Sequence, residues 1–244
     1  MDRVRTYIVG MDEYLEGGIP SGFATLICGR PGSMKSSLAY SILYKNAIND
    51  EDGGKGIYIT LEQTPESMME QMESLQMSAH EKITMISYND IDSELERSRL
   101  DHRLEQNWIR RILNYLENLC KSDEENSLLV IDSLNGLYSL TKVETPRREI
   151  FMFFKSLREM GLTTLLISEM ASHSQFSNCG VEDFLADGII HLDLDRDSTT
   201  HTLALKIGIV KMRCTNIGRR YFPLVYRDGT FSIVTKPISS WDEG

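Results

Sequence analysis

The feature that most constrains this chain is the turn Gly29-Arg30-Pro31-Gly32-Ser33-Met34-Lys35-Ser36, set between a short apolar run and a longer amphipathic one. Phe23 to Cys28 is unbroken apolar sequence apart from Thr25, and it follows the turn-rich stretch Gly17 to Gly22. It therefore reads as a buried strand. From Ser36 to about Asn49, Leu38, Ala39, Ile42, Leu43 and Ala47 share one helical face. A strand, a glycine turn and a helix in this order let backbone N–H groups point at anionic oxygens. The turn matches the phosphate-loop pattern G-x-x-x-x-G-K-[ST] at every fixed position except Met34. In such a loop Lys35 neutralises the β and γ phosphates of a nucleotide and the Ser36 hydroxyl ligates Mg²⁺. The cradle runs through Gly29, Arg30, Pro31, Gly32, Ser33, Met34, Lys35, Ser36 and Ser37.

Met34 admits two backbone states. A positive φ costs an L-residue about 1–2 kcal/mol. A negative φ at the first helical turn is free of that strain and lets the side chain point away from the phosphates. Because Lys35 and Ser36 are both kept, the negative φ is expected.

Further apolar strands alternate with helices. Ile57–Leu61, Ile83–Ile86, Leu128–Asp132 and Leu162–Ile167 are short and apolar. Between them, one helix opens at Pro65 with Met68, Met69, Met72 and Leu75. A second runs from about Glu94 to Cys120 with Leu104, Trp108, Ile112, Leu116 and Leu119. A third opens at Pro146 with Ile150, Phe151, Phe154, Leu157 and Met160, and ends at Gly161. The methionines read as core filler. Glu51 to Gly56 and Lys121 to Ser127 read as connectors. This alternation indicates an α/β fold, a mainly parallel sheet with helices on both faces. After Val181 four strands, Ile189–Leu194, Leu203–Met212, Phe222–Tyr226 and Thr230–Val234, are expected to add antiparallel to one edge, with Asp228-Gly229 as a turn. Residues 1–236 are expected to form one domain and 237–244 a short tail.

The 244 residues carry 26 basic and 36 acidic side chains, a formal charge of −10. That argues against a chain held to nucleic acid by bulk electrostatics, though not against a local basic groove. Cys28, Cys120, Cys179 and Cys214 are widely spaced with no C-x-x-C pair, which favours free thiols in a reducing cytoplasm over a zinc site or disulfides. The start, Met1-Asp2-Arg3-Val4-Arg5, is followed by no long apolar run, so neither a leader nor a membrane span is expected.

Asp132 ends an apolar strand, where a carboxylate can orient Mg²⁺ or its waters. Glu62 follows the strand Ile57–Leu61, which by parallel topology could lie beside the first strand, at the carboxyl edge where ligands bind. There it can orient or deprotonate the water attacking a γ-phosphate, the reading favoured over that of a solvated residue ahead of the Pro65 helix. Lys211 and Arg213 flank Met212 on one face of a strand end. Two cations together suit a phosphate, and they also suit an edge strand guarded against aggregation.

Together these segments resemble the KaiC-like branch of the RecA-type ATPases, over roughly residues 5 to 235. Gly10 to Gly22 is similar to that family's G-x-D-x-x-L-x-G-G-I-P-x-G opening, and Tyr58 to Glu66 to its catalytic strand. Leu165–Glu169, Gly180–Gly188, Lys211–Asn216, and Tyr221–Pro223 with Asp228-Gly229 fit its later motifs. The resemblance implies a RecA-like core, ATP and Mg²⁺ as cofactors, and slow ATP hydrolysis. It also implies a homo-oligomer, as a hexameric ring with ATP at subunit interfaces, that regulates an unknown protein partner. Lys211 and Arg213 then reach the neighbouring subunit's γ-phosphate. Glu62, Gln63 and Lys35 are the catalytic candidates, and Ser36 and Asp132 the metal ligands. Gln63 stands where the family has a second glutamate, and its amide cannot take a proton. Met34 and Cys214 replace family glycines. Two alternatives follow from the same residues: a nucleotide-binding scaffold without turnover, and a recombination accessory that binds single-stranded DNA.

Overall fold

The computed structural model describes residues 1–49, 54–98, 107–122, 126–141, 144–170, 176, 180–196 and 202–235. Cys179, Leu104, the turn residues 51–53 and the tail 237–244 lie outside these. A two-stranded antiparallel ribbon, β1 (Arg3–Val4) with β2 (Ile19–Pro20), precedes the main sheet. The chain then runs β3 (Ala24–Gly29), α1 (Lys35–Asn49), β4 (Lys55–Thr60), α2 (Pro65–Ser74), β5 (Ile83–Ser87), α3 (Tyr88–Ser98), α4 (Trp108–Ser122) and β6 (Asn126–Asp132). It continues α5 (Leu134–Leu140), α6 (Pro146–Glu159), β7 (Thr163–Glu169), α7 (Glu182–Leu185), β8 (Gly188–Arg196), β9 (Leu203–Met212), β10 (Tyr221–Arg227) and β11 (Thr230–Ile233).

The nine-stranded sheet has the order β11-β10-β9-β8-β3-β7-β6-β4-β5. From β8 to β5 every pair is parallel; β9, β10 and β11 add antiparallel. Two expectations are corrected here. Strand β8 is parallel to β3, because the chain reaches it from the segment that joins the start of β3, where the Asp187 N–H donates to the Ala24 carbonyl at 2.8 Å. Strand β4 does not lie beside β3; β7 and β6 stand between them. Helix α1 packs on β3, β7, β6 and β4 together, so the crossover it makes spans that width.

Consecutive residues of each buried strand serve opposite layers, as the pleat requires. Tyr58, Val130, Leu165 and Ile167 join Leu38, Ile42 and Leu43 of α1 on one face. Ile57, Ile59, Leu129, Ile131 and Leu166 join Ile112, Leu116, Phe153 and Phe154 on the other. Each large apolar side chain taken fully from water contributes about 1.5–3 kcal/mol, so the strands are held from both sides. Helix α2 starts where Thr64 caps the Ser67 N–H at 3.3 Å and Pro65 takes the first helical position. The expected helix from Glu94 to Cys120 is two helices among the described residues, the second opened by Asn107, which accepts from the Arg110 N–H. On α6 the buried face is Ile150, Phe153, Phe154 and Leu157; Phe151 is exposed. No helix among the described residues is long and apolar enough to cross a membrane.

Asp187 fastens the amino edge of the sheet. Its carboxylate, 7% exposed, accepts from Arg158 Nε at 2.6 Å, Arg213 Nη1 at 2.8 Å and the Ala24 N–H at 3.1 Å. It thereby joins α6, the end of β9 and the start of β3. Asp187→Ala removes all three acceptors and leaves two guanidiniums facing each other. Urea unfolding is expected to show a loss of about 2–3 kcal/mol, below the 3–5 kcal/mol of a fully buried pair because both arginines reach solvent. A loss under 0.5 kcal/mol would show that the hub is not stabilising.

Candidate active site at the carboxyl edge of the sheet

The turn after β3 is built by close approach. A Cβ on Gly29 would stand 2.3 Å from the Leu192 carbonyl oxygen and 2.6 Å from Ser33 Oγ, so no larger residue fits while β8 lies alongside. Ser33 Oγ donates to the Arg30 carbonyl at 2.8 Å, and Arg30 itself is anchored on the Leu194 carbonyl at 3.0 Å. Arg30, Pro31 and Gly32 are exposed, whereas Ser33, Lys35 and Ser37 are buried. Lys35 opens α1, and its Nζ donates to the Arg30 carbonyl at 3.0 Å. Burial pulls its ammonium below the usual lysine range, opposed first by the charge of Glu169 and then by that of Asp132.

Met34 does not have the expected negative φ. It sits at φ 61°, close to the 81° of Gly32. The loop needs a left-handed residue immediately before the helix, whichever side chain stands there, and Met34 offsets the strain by packing its thioether against the core under α1. An unbranched side chain tolerates this conformation better than a β-branched one.

Asp132 ends β6 and pairs with Thr60 of β4. Its carboxyl is pushed up from the ordinary range by burial and pulled back by hydrogen bonds from Tyr58 and Ser36. The Tyr58 hydroxyl donates to Asp132 Oδ2 at 2.6 Å. Ser36 and Asp132, expected together from sequence, are therefore brought together. Glu62, just beyond β4, accepts on Oε1 from Ser133 Oγ at 2.5 Å. Gly136 gives Glu62 room, since a Cβ there would lie 2.9 Å from Glu62 Cγ. Gln63 is exposed, and its backbone closes a turn on Thr60 Oγ1 at 2.8 Å.

Four contributors escaped the sequence reading. Ser133 caps α5, accepting from the Gly136 N–H at 3.1 Å while donating to Glu62. Asn135 Oδ1 accepts from the Glu169 N–H at 2.9 Å and ties α5 to β7. Glu169, at the end of β7, is the largest charge supporting Lys35. Tyr58 holds Asp132. Ser133 had a local signal, a serine placed to cap the short run Leu134 to Leu140, and Glu169, like Asp132, ends an apolar run.

Lys211 and Arg213 are not at this edge. Gly188 pairs with Met212 on one side and Thr25 on the other. The pair thus sits beside the start of β3, about 13 Å along the strand from Gly29 at 3.3 Å per residue. Lys211 Nζ donates to the carbonyls of Asp183 at 3.0 Å and Phe184 at 3.2 Å, and Arg213 is held by Asp187. Phe184, 65% exposed, projects beside them. Burial, and then the charge of Arg213, lower the Lys211 ammonium.

The family model described as "ATPase: KaiC" matches residues 4–237. A UPF0273 protein of Thermotoga maritima is 31% identical over 234 residues, covering 93% of both chains. One of Methanopyrus kandleri is 29% identical, over 93% of this chain and 90% of its own. The circadian clock protein KaiC2 of Synechocystis is 26% identical over 96% of this chain, which corresponds to 40% of that longer protein. The crystal structure of a KaiC-like protein from Pyrococcus horikoshii superposes with a TM-score of 0.77 and 28% identity, over 96% of this chain and 99% of that one.

Replacing Met34 tests its positive φ directly. Met34→Gly is expected to keep ADP affinity within about threefold, because glycine accepts this φ without strain. Met34→Val is expected to lose about 1–2 kcal/mol of stability and to weaken ADP binding. Calorimetric titration and thermal melts of the two variants check this, and equal behaviour would remove the strain from the account.

Proposed function

Because the chain belongs to the KaiC ATPase family, a family of nucleotide-binding P-loop ATPases with a RecA-like fold, we propose that it hydrolyses ATP slowly with Mg²⁺. We propose further that it does so in a hexameric ring whose nucleotide state regulates a partner protein. The observation that carries the proposal is the division of polar and charged groups between the two edges of the sheet. Lys35, Ser36, Glu62 and Asp132 lie at the carboxyl edge, and Lys211 and Arg213 at the other. No single copy can bring the second set to its own loop.

The residues present suit the ligands. Ser36 and Asp132 are neighbouring hard oxygen donors, the donor type Mg²⁺ takes, and Mg²⁺ uses one or two protein oxygens plus phosphates rather than a full protein cage. When bound, the ion offsets phosphate charge. Gly29 to Ser37 would wrap the phosphates, with Lys35 Nζ leaving the Arg30 carbonyl to reach the β and γ groups. Glu62, oriented by Ser133, would hold the attacking water and accept its proton through Oε2. Lys211 and Arg213 of one subunit would face the γ-phosphate of the next, with Arg213 preset by Asp187. Such a finger can supply about 10³–10⁵ in rate.

The nucleotide-scaffold alternative keeps everything but the water step. Glu62→Gln separates the two. A phosphate-release assay is expected to show turnover reduced at least 100-fold with ADP affinity unchanged; equal rates in the two proteins would remove Glu62 from the mechanism. Subunit mixing tests the opposite edge. Lys35→Ala and Arg213→Ala proteins should each be inactive alone and regain activity when mixed, since one interface in the mixed ring combines an intact loop with an intact finger. Absence of recovery, with mixed oligomers seen by native mass measurement, would overturn action in trans.

A further inference from the structure

Tyr58 is a costly residue for its place. Its ring is fully buried, edge-on to Tyr40 with centroids 5.7 Å apart, in the apolar layer under α1. Phenylalanine would fill the same volume without a hydroxyl that must find a partner, and a buried polar group left unpaired is destabilising. The partner it finds is Asp132 Oδ2, at 2.6 Å, with Ser36 beside the same hydroxyl; the nearby Met68 Sδ, at 4.0 Å, is a poor acceptor. The register explains the meeting. Tyr58 pairs with Val130 and Thr60 with Asp132, so the side chains of Tyr58 and Asp132 rise on the same face of neighbouring strands, one step apart along them. The bond therefore crosses from β4 to β6 and pins the carboxylate from outside its own strand.

A carboxylate has two oxygens. With Oδ2 taken by a phenol fixed in the core, the rotation of the group is set and Oδ1 is the oxygen left for a cation. We infer that Tyr58 is a positioning residue for the divalent cation site: its hydroxyl clamps one oxygen of Asp132 so that the other is presented to the cation. This rests on the nucleotide site proposed above. A partner one shell out from a metal ligand typically changes metal affinity by 10–100-fold when removed, because the ligand then loses its orientation. A purely space-filling tyrosine would change stability alone.

The experiment is a titration of a fluorescent ADP analogue against Mg²⁺ concentration, on wild type, Tyr58→Phe, Asp132→Asn and the double variant. Phenylalanine retains the ring, and apo thermal melts verify that each protein is folded. Tyr58→Phe is expected to raise the Mg²⁺ concentration at half-saturation about tenfold while leaving binding in excess chelator unchanged. In the Asp132→Asn background the same change should shift nothing further. An unchanged Mg²⁺ midpoint in Tyr58→Phe, or an equal shift with and without Asp132, overturns the role of Tyr58 and leaves the nucleotide site standing. Nucleotide binding by wild type that ignores Mg²⁺ altogether overturns the cation site, and the role of Tyr58 with it.

Discussion

A parallel sheet has two unlike edges, and that constraint organises the molecule. Every parallel strand delivers its last residue to the same side, so β3, β4, β6 and β7 place the phosphate loop, Glu62, Asp132 and Glu169 along one rim although they come from distant parts of the sequence. The opposite rim receives strand beginnings and the return of β9. There the carboxylate of Asp187 gathers Arg158, Arg213 and the Ala24 N–H into one cluster. In the proposed ring these two unlike rims, about a strand-length apart, would meet through unlike faces, the head-to-tail contact from which closed rings arise.

What could be read in advance followed from where information is stored. The strand, turn and helix around Lys35 are local: a buried apolar run, a glycine turn and a capped helix each have a signature within a few residues. Asp132 and Glu62 were legible because each terminates an apolar run. Strand order was not, since the separation of β3 from β4 is set by how many strands α1 covers, a tertiary quantity. The buried face of α6 misled for a related reason. Phe151 and Phe153 are both large and apolar, and only contact with the sheet selects Phe153. Tyr58 and Asp132 are 74 positions apart, and Asp187 and Arg213 are 26 apart; nothing in either residue's neighbourhood announces its partner.

Met34 shows how a motif can be kept while one of its residues is exchanged. Glycine is usual there because the backbone enters the helix through a left-handed residue, and the loop keeps that geometry with methionine in place. The backbone requirement is set by Gly29 against Leu192 on one side and by the first turn of α1 on the other. The side chain must therefore yield to the backbone, and contact with the core lessens the cost.

The single carboxylate at the end of β4 bears on rate. Gln63 cannot accept a proton, and it faces solvent while its backbone serves the turn. Proton acceptance in the proposed reaction thus falls to Glu62 alone. Its Oε1 already accepts from Ser133, which leaves Oε2 for the water. The same bond fixes the carboxylate's direction, which shortens the search for a productive water. In the proposed reaction, one oriented carboxylate with no second acceptor beside it is expected to give slow turnover, so that the bound nucleotide is long-lived.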